Sequence, residues 1–181
     1  KAIKVDSKFV KLKELLNELD RQEPNRKIMI FTYFKKTLMY LERGLRRLGY
    51  NCLLISGDVP SVPQNPLKDE RKRRLNKFRD DPNVRIMLST EVGSEGLDFQ
   101  FCHILINYDL PWNPMVVEQR IGRLDRLGQQ SDKILIYNFS IPGTIEDRML
   151  SRLYDRIRIF QESIGDLEAI LGEEMQKLTW D

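Results

Sequence analysis

Five short, unbroken apolar runs constrain this chain more than any other feature: "KIMIFT", "CLLIS", "VRIMLST", "HILINY" and "KILIYNFS". An alternating strand has one wet face, whereas a continuous apolar run needs cover on both. Between the runs lie stretches of helical period. "SKFVKLKELLNEL" puts Phe9, Leu12, Leu15, Leu16 and Leu19 on one face, with Ser7 as the expected N-cap. "KKTLMYLERGLRRLGY" stops at Gly49, and "LKDERKRRLNKF" and "NPMVVEQRIGRL" continue the alternation. "GDVPSVPQNP", with three prolines in ten residues, is a turn and loop. Strands alternating with helical crossovers predict an α/β fold with a mainly parallel sheet and helices on both faces.

The tail changes character. Thr144 followed by Asp147, just after Pro142-Gly143, is a capping-box-like helix start. Ile145, Met149, Leu153, Ile157, Phe160, Ile164, Leu167 and Leu171 then form a long apolar stripe, with Gly165 as its weak point. The expectation is a long C-terminal amphipathic helix packed on the parent domain or on a neighbour. The chain divides accordingly into a domain over 1–142 and a helical extension over 143–181.

At 181 residues and 41% hydrophobic content, this is one ordinary domain, or one plus an appendage. Lys and Arg number 30 against 27 Asp and Glu, a net charge of +3, so a nucleic-acid surface requires local clustering. Cys52 and Cys102 lie far apart in apolar surroundings, which fits neither a disulfide framework nor a metal site and suits a reducing compartment. His103, the only histidine, opens a strand and reads as a core residue rather than a ligand. No run spans a bilayer and no signal peptide is evident. The chain opens without methionine and is expected to be a piece of a longer protein.

In doubly wound sheets, functional groups gather at the carboxyl ends of strands. Here those places hold Thr32 and Tyr33, then Ser56-Gly57, then "STEVGSEGLD", then "DLPWNP". Ser89 and Thr90 offer hydroxyls, Gly93 and Gly96 permit close backbone approach, and the Asp98 carboxylate can accept from a ribose hydroxyl. Trp112, bracketed by Pro111 and Pro114, reads as a packing residue, although its loop would also suit a stacking platform. "EQRIGRLDRLGQQ" carries Arg120, Arg123 and Arg126 with Gly122 and Gly128 at helix-like spacing. It is either a solvated basic helix or a set of guanidinium groups aimed at an anion. The basic cluster Arg71–Arg74 poses the same choice.

These pieces occur together and in order. "MLSTEVGSEGLDF", "YDLPWNP" and "EQRIGRLDRLGQ" resemble motifs V, Va and VI of superfamily 2 helicases and translocases. "IMIFTYFKKTLMYL" looks like motif IV, and "LLISGD" with Arg71 and Phe78 resembles another segment of the same lobe. The resemblance covers most of residues 1–140. "DLPWNP" and "RLGQ" are closest to the Swi/Snf-type group, and "GSEG" with "QRIGRLDRLGQ" to its bacterial RNA-polymerase-associated, RapA-like branch.

The resemblance implies a RecA-like C-terminal motor lobe whose motif VI helix faces a nucleotide held by another lobe. It makes Arg126 the arginine finger, Arg123 its partner, and Gln119 the polar group near the γ-phosphate or attacking water. Gly122 would let that helix approach closely, Gly96 and Asp98 would lie on the nucleotide, and Asp98 would contact the ribose. Thr32, Ser56, Gly57, Arg71 and Thr90 would lie on nucleic acid, with Thr90 touching a phosphate. Glu95 departs from the arginine found there in DEAD-box relatives. Arg120 points another way and is expected to be solvated or salt-bridged.

The chain holds no G-x-x-x-x-G-K-[ST] and no D-E-x-[HD], and no metal ligands are assigned. ATP with Mg²⁺ would therefore be bound mainly by an N-terminal RecA-like lobe of the same protein. The implied partners are that lobe, duplex DNA, and RNA polymerase or another DNA-processing complex, without a membrane. The implied location is cytoplasmic, and nucleoid-associated in a prokaryote. Two alternatives stay open: a non-catalytic RecA-like module that binds nucleic acid or protein, and a strand-separating helicase lobe.

Overall fold

All five apolar runs become strands: β1 (Ile28–Phe31), β2 (Cys52–Ile55), β3 (Ile86–Ser89), β4 (Ile104–Asn107) and β5 (Leu135–Phe139). The computed structural model describes residues 6–62, 65, 68–125, 127–131, 133–164 and 177–178, with side chains described up to residue 155. The strands pair in parallel in the order β2-β3-β1-β4-β5, and the two-residue β6 (Lys177–Leu178) joins β5. The helices are α1 (Ser7–Gln22), α2 (Lys35–Arg47), α3 (Glu70–Asp80), α4 (Glu91–Ser94), α5 (Pro114–Ile121) and α6 (Ile145–Ile164).

The order of the strands decides which helix covers which face. From β1 to β2 the chain crosses the sheet in one direction; from β2 through β3 and β4 to β5 it returns. Right-handed crossovers then place α2 on one face and α3 and α5 on the other. Two buried clusters follow. Leu12, Leu16, Leu38 and Leu45 of α1 and α2 meet Ile28, Ile30, Ile86 and Ile104. Phe78, Val117, Met149 and Leu153 of α3, α5 and α6 meet Met29, Phe31, Met87 and Leu105. Successive strand residues point to opposite faces and each face has its own core, so the strands are apolar throughout except at Ser89, Asn107 and Asn138 near their carboxyl ends. Each fully buried side chain of this size stabilises the fold by roughly 1.5–3 kcal/mol. The start of α6 shares the second core, so the helical extension begins inside the lobe's own packing.

Several local expectations change. Asp6, not Ser7, caps α1, its Oδ1 accepting from the Phe9 amide at 3.2 Å. The loop after β3 contains the short helix α4, capped by Thr90, whose hydroxyl accepts from the Gly93 amide at 3.4 Å. A Cβ on Gly93 would lie 2.3 Å from the Ile55 carbonyl oxygen, so only glycine lets α4 abut the end of β2. At α6, Thr144 does not complete a capping box. Its hydroxyl turns to the Ile141 carbonyl at 2.6 Å, while Asp147 reaches back to the Gly143 amide at 3.2 Å. Of the tail stripe, Met149 and Leu153 are buried and Ile145 is exposed. The side chains of Ile157, Phe160 and Ile164, and the whole of Gly165, Leu167 and Leu171, lie outside the described residues.

The stretch "EQRIGRLDRLGQQ" is helical only to Ile121. Gly122 is the C-cap, and residues 122–125 turn. The Phe99 amide donates to the Arg123 carbonyl at 2.9 Å, so an acceptor that a longer helix would use is taken by the loop after α4. Arg123 therefore sits on a turn rather than on a helix, and Arg126 lies outside the described residues.

Candidate functional site

At the carboxyl edge of the sheet, the residues following the strands form one row. The Thr32 amide donates to Ser89 O at 3.0 Å, the Thr90 amide to Ile55 O at 3.1 Å, and the Tyr108 amide to Phe31 O at 2.9 Å. Thr32, Ser56, Thr90 and Tyr108 thus stand level, one residue beyond their strands. Asp109 ties two of the loops together. Its carboxylate accepts from the Thr32 hydroxyl and from the Tyr33 amide, each at 2.5 Å.

Beside this row, Arg120 of α5 is wholly buried, and it is the largest fully buried side chain described. Its Nε donates to Glu91 Oε2 at 2.9 Å, and its Nη1 to Asn107 Oδ1 at 2.8 Å and to the Asp109 carbonyl at 3.4 Å. The guanidinium lies 4.9 Å from the Phe31 ring centroid, within cation–π range. Burial pulls its pKa down, opposed by the Glu91 carboxylate and by Asp109. The salt-bridge half of the expectation for Arg120 holds; the solvated half does not, because α5 turns this position into the sheet.

Arg123 approaches the same carboxylate. Its Nη1 donates to the Ser94 carbonyl at 2.6 Å, and its Nη2 lies 3.6 Å from Glu91 Oε1, an ion pair longer than a hydrogen bond. Glu91 Oε1, Arg123 Nε and Arg120 Nη2 are buried without a hydrogen-bond partner. Three orphaned polar atoms at one junction mark it as incompletely satisfied in the free lobe.

The expected site residues divide into three sets. Arg123, at the α5 turn, reaches the α4 segment that leads to Gly96 and Asp98; Gln119 is exposed on α5. Gly96 takes a φ of +73°, which suits glycine, and Asp98 Oδ1 accepts from the Gln100 amide at 3.2 Å. A Cβ on Gly122 would meet only carbonyl oxygens at ordinary distance, the nearer at 3.5 Å. Any demand for glycine there must come from outside the lobe. Ser56 and Thr90, each 8% exposed, belong to the edge row, and Gly57 next to Ser56 is exposed.

Thr32 and Arg71 depart from their expected contacts. Thr32 has no exposed surface and both its donors are committed, so it cannot itself touch nucleic acid. Arg71 donates to the carbonyls of Val59 at 2.8 Å, Val92 at 3.1 Å and Gly57 at 3.1 Å, pinning the loops around the row. Glu95 is exposed.

Trp112 is 69% exposed, against the expectation of a packing residue. Tyr33, Phe34, Val92 and Met115 are exposed on the segments that follow the strands at the same edge, and Tyr33 and Phe34 stand edge-to-face with centroids 5.0 Å apart. Glu91, Asp109 and the buried role of Arg120 were missed from sequence; the acidic residue directly after "ST" was the available signal.

Elsewhere, burial holds the two thiols protonated and favours the neutral form of the one histidine. Burial pushes the Cys102 thiol up to about 12, and both cysteines are free and buried. His103 is half-buried rather than in the core, and burial, then the Arg26 charge, lower its pKa. Among the described residues, no group of His, Cys, Asp and Glu could hold a metal ion, and no helix is long and apolar enough to cross a membrane.

Residues 7–128 match the family described as helicase conserved C-terminal domain. The chain is 37% identical over 166 residues to the uncharacterized ATP-dependent helicase YqhH of Bacillus subtilis, covering 92% of this chain and 27% of the relative. It is 32% identical over 149 residues to the RNA polymerase-associated protein RapA of Photobacterium profundum, covering 82% of this chain and 15% of that protein. Among solved structures, the C-terminal part of the Fun30 ATPase domain superposes with a TM-score of 0.69 at 26% identity, covering 80% of this chain and 44% of that one. This chain thus spans about a quarter or less of the length of these two curated relatives.

Proposed function

This chain belongs to the helicase conserved C-terminal domain family, and from that premise we propose that it is the second motor lobe of an ATP-dependent translocase acting on duplex DNA. The observation that carries the proposal is the α5 turn. Arg123 is anchored through Nη1 alone, with Nε unpartnered and Nη2 in a loose pair. Such a guanidinium can be drawn to phosphoryl oxygens. Arg123 and Arg126 would face the γ-phosphate, Gln119 the attacking water, and Gly96 and Asp98 the nucleoside. Mg²⁺-bound ATP, held mainly by another lobe, would supply the phosphoryl group.

On the nucleic-acid side, Ser56, Gly57 and Thr90 would lie along a phosphate backbone. Thr32 and Arg71 would serve by holding that row in place. Contacts of this kind read charge and shape rather than bases. The exposed Trp112, Tyr33 and Phe34 would face the duplex or the other lobe. By its printed name the RapA relative is RNA polymerase-associated. Association with RNA polymerase or another DNA-processing complex, and an intracellular location, are part of this proposal, with residues 1–142 as the lobe and 143–181 as its extension.

The test is steady-state ATP hydrolysis by the full-length protein with duplex DNA. Arg126→Ala is expected to lower kcat by roughly 10³–10⁵ with nucleotide affinity retained, because a finger acts on the transition state. Arg126→Lys should recover little, since a point charge cannot reproduce the fork. The 181-residue chain alone, which has no phosphate-binding loop, should not turn over ATP. Near-normal kcat in both Arg126 variants would overturn the assignment. Strand displacement in the same preparation would favour a strand-separating lobe.

A further inference from the structure

The contacts around Arg120 form a continuous path. Arg123 Nη2 faces Glu91 Oε1 at 3.6 Å; Glu91 Oε2 accepts from Arg120 Nε at 2.9 Å. Arg120 Nη1 reaches Asn107 Oδ1 and the Asp109 carbonyl. The Asp109 carboxylate then holds the Thr32 hydroxyl and the Tyr33 amide. One end of the path is the turn beside the expected nucleotide, and the other is the pair of loops that expose Tyr33, Phe34 and Trp112.

We propose that Arg120 is a positioning residue that couples these two ends, so that withdrawal of Arg123 from Glu91 by a nucleotide is felt by the loops at the nucleic-acid edge. The inference rests on the motor reading given above. A purely structural residue at a wholly buried position would more cheaply be apolar, because an ion pair inside a core repays its desolvation only when fully hydrogen-bonded. This one is not: Arg120 Nη2 and Glu91 Oε1 lack hydrogen-bond partners. Glu91 lies between two arginines and makes a full hydrogen bond to only one. When an anion takes Arg123, Arg120 becomes the sole cation on that carboxylate. The rebalanced guanidinium also carries Asn107, which bonds through its amide nitrogen to Asn138 Oδ1 at 2.8 Å, and the Asp109 backbone. Arg120 touches neither ligand in this scheme; it acts through Glu91 and Asp109.

The experiment measures duplex-DNA affinity of the full-length protein with and without a non-hydrolysable ATP analogue. The ratio of the two dissociation constants is the coupling factor, typically about 5–150-fold where two sites communicate. Arg120→Lys keeps the charge but loses the fork. It is expected to bring the factor down toward one while DNA affinity without the analogue is unchanged. A factor equal to that of the native protein, with or without a lower melting temperature, overturns the proposal and leaves Arg120 as packing. Should Arg120→Lys fail to fold, Glu91→Gln, similar in volume and partly exposed, carries the same expectation, and an unchanged factor there overturns it equally. A native protein whose analogue and DNA bind independently removes the motor reading and the coupling together. A coupled native protein with equally coupled variants removes only the role of Arg120.

Discussion

Arg71 at the start of α3 distributes its guanidinium over three main-chain carbonyls, and Arg74 one turn later bonds Leu54 O at 2.7 Å and Glu70 at 2.9 Å. Arg73 and Arg74 also share the Glu70 carboxylate, with both of its oxygens engaged, whereas Arg120 and Arg123, around the end of α5, share Glu91 and leave its Oε1, Nη2 of the first and Nε of the second without hydrogen-bond partners. Both stretches are arginine clusters on or beside a helix, and composition alone cannot separate them. What separates them is how fully the acceptors are satisfied. Carbonyls at strand ends and in loops are fixed parts of the fold, so an arginine spent on them is a strut. A shared carboxylate with an orphaned oxygen can be re-partnered, so arginines there can respond to a ligand.

The largest effect expected from this contrast is on Arg120. Arg120→Ala removes a buried cation and strands Glu91 and Asn107, which costs about 3–5 kcal/mol for a broken buried pair. Urea unfolding of this chain measures it as a drop in midpoint at constant slope. A loss no greater than that of an exposed ion pair would mean that water fills the site and that the two clusters are alike.

Arg71→Ala comes next. It removes hydrogen bonds to three partly accessible carbonyls that water can replace, so the loss should be about 1–3 kcal/mol. As a strut it should leave the salt dependence of duplex binding by the full-length protein unaltered. A log–log slope shallower by about one would show that Arg71 neutralises a phosphate after all.

The sheet and its two-sided cover were legible because continuous apolar runs have a single structural use at this length. Helix faces such as Leu12, Leu15, Leu16 and Leu19 were legible for the same reason: periodicity is local. The junction was not. Arg120 sits in a sequence run with Arg123 and Arg126, and nothing local shows that one points into the core. Its burial depends on Asn107 and Glu91, 13 and 29 residues away in the chain. Trp112 misled in the opposite direction, since flanking prolines fix a backbone without saying which way the ring faces. Thr32 stands at the carboxyl edge as its position after β1 implies, but its burial and its bond to Asp109 were not readable, because that partner lies 77 residues further on. Periodic burial can be read along the chain; pairing of polar groups across loops cannot.

The smallest expected effect tests whether α3 is as fixed as its acceptors suggest. Asp69 caps α3: its Oδ1 accepts from the Lys72 amide at 3.1 Å and its Oδ2 from the Ser61 hydroxyl at 3.2 Å. Burial pushes this carboxyl up, but the Lys72 amide, the Ser61 hydroxyl and the Lys72 charge outweigh it and hold its pKa below the ordinary 3.8. A group depressed in the folded state binds fewer protons there than in the unfolded chain. Its contribution is therefore present above pH 3.8 and is lost as pH falls through the lower folded value. Asparagine caps helices about as well but carries no charge, so Asp69→Asn should cost no more than about 1 kcal/mol, less than losing the cap outright. The two proteins should differ at neutral pH and converge in acid, as the native Asp69 protonates. Thermal melts at stepped pH follow this directly. Parallel curves for the two proteins down to full protonation would show that the Asp69 charge does not help hold the loop to α3. The arginine struts beside it would then be anchored on a looser frame than the carbonyl contacts imply.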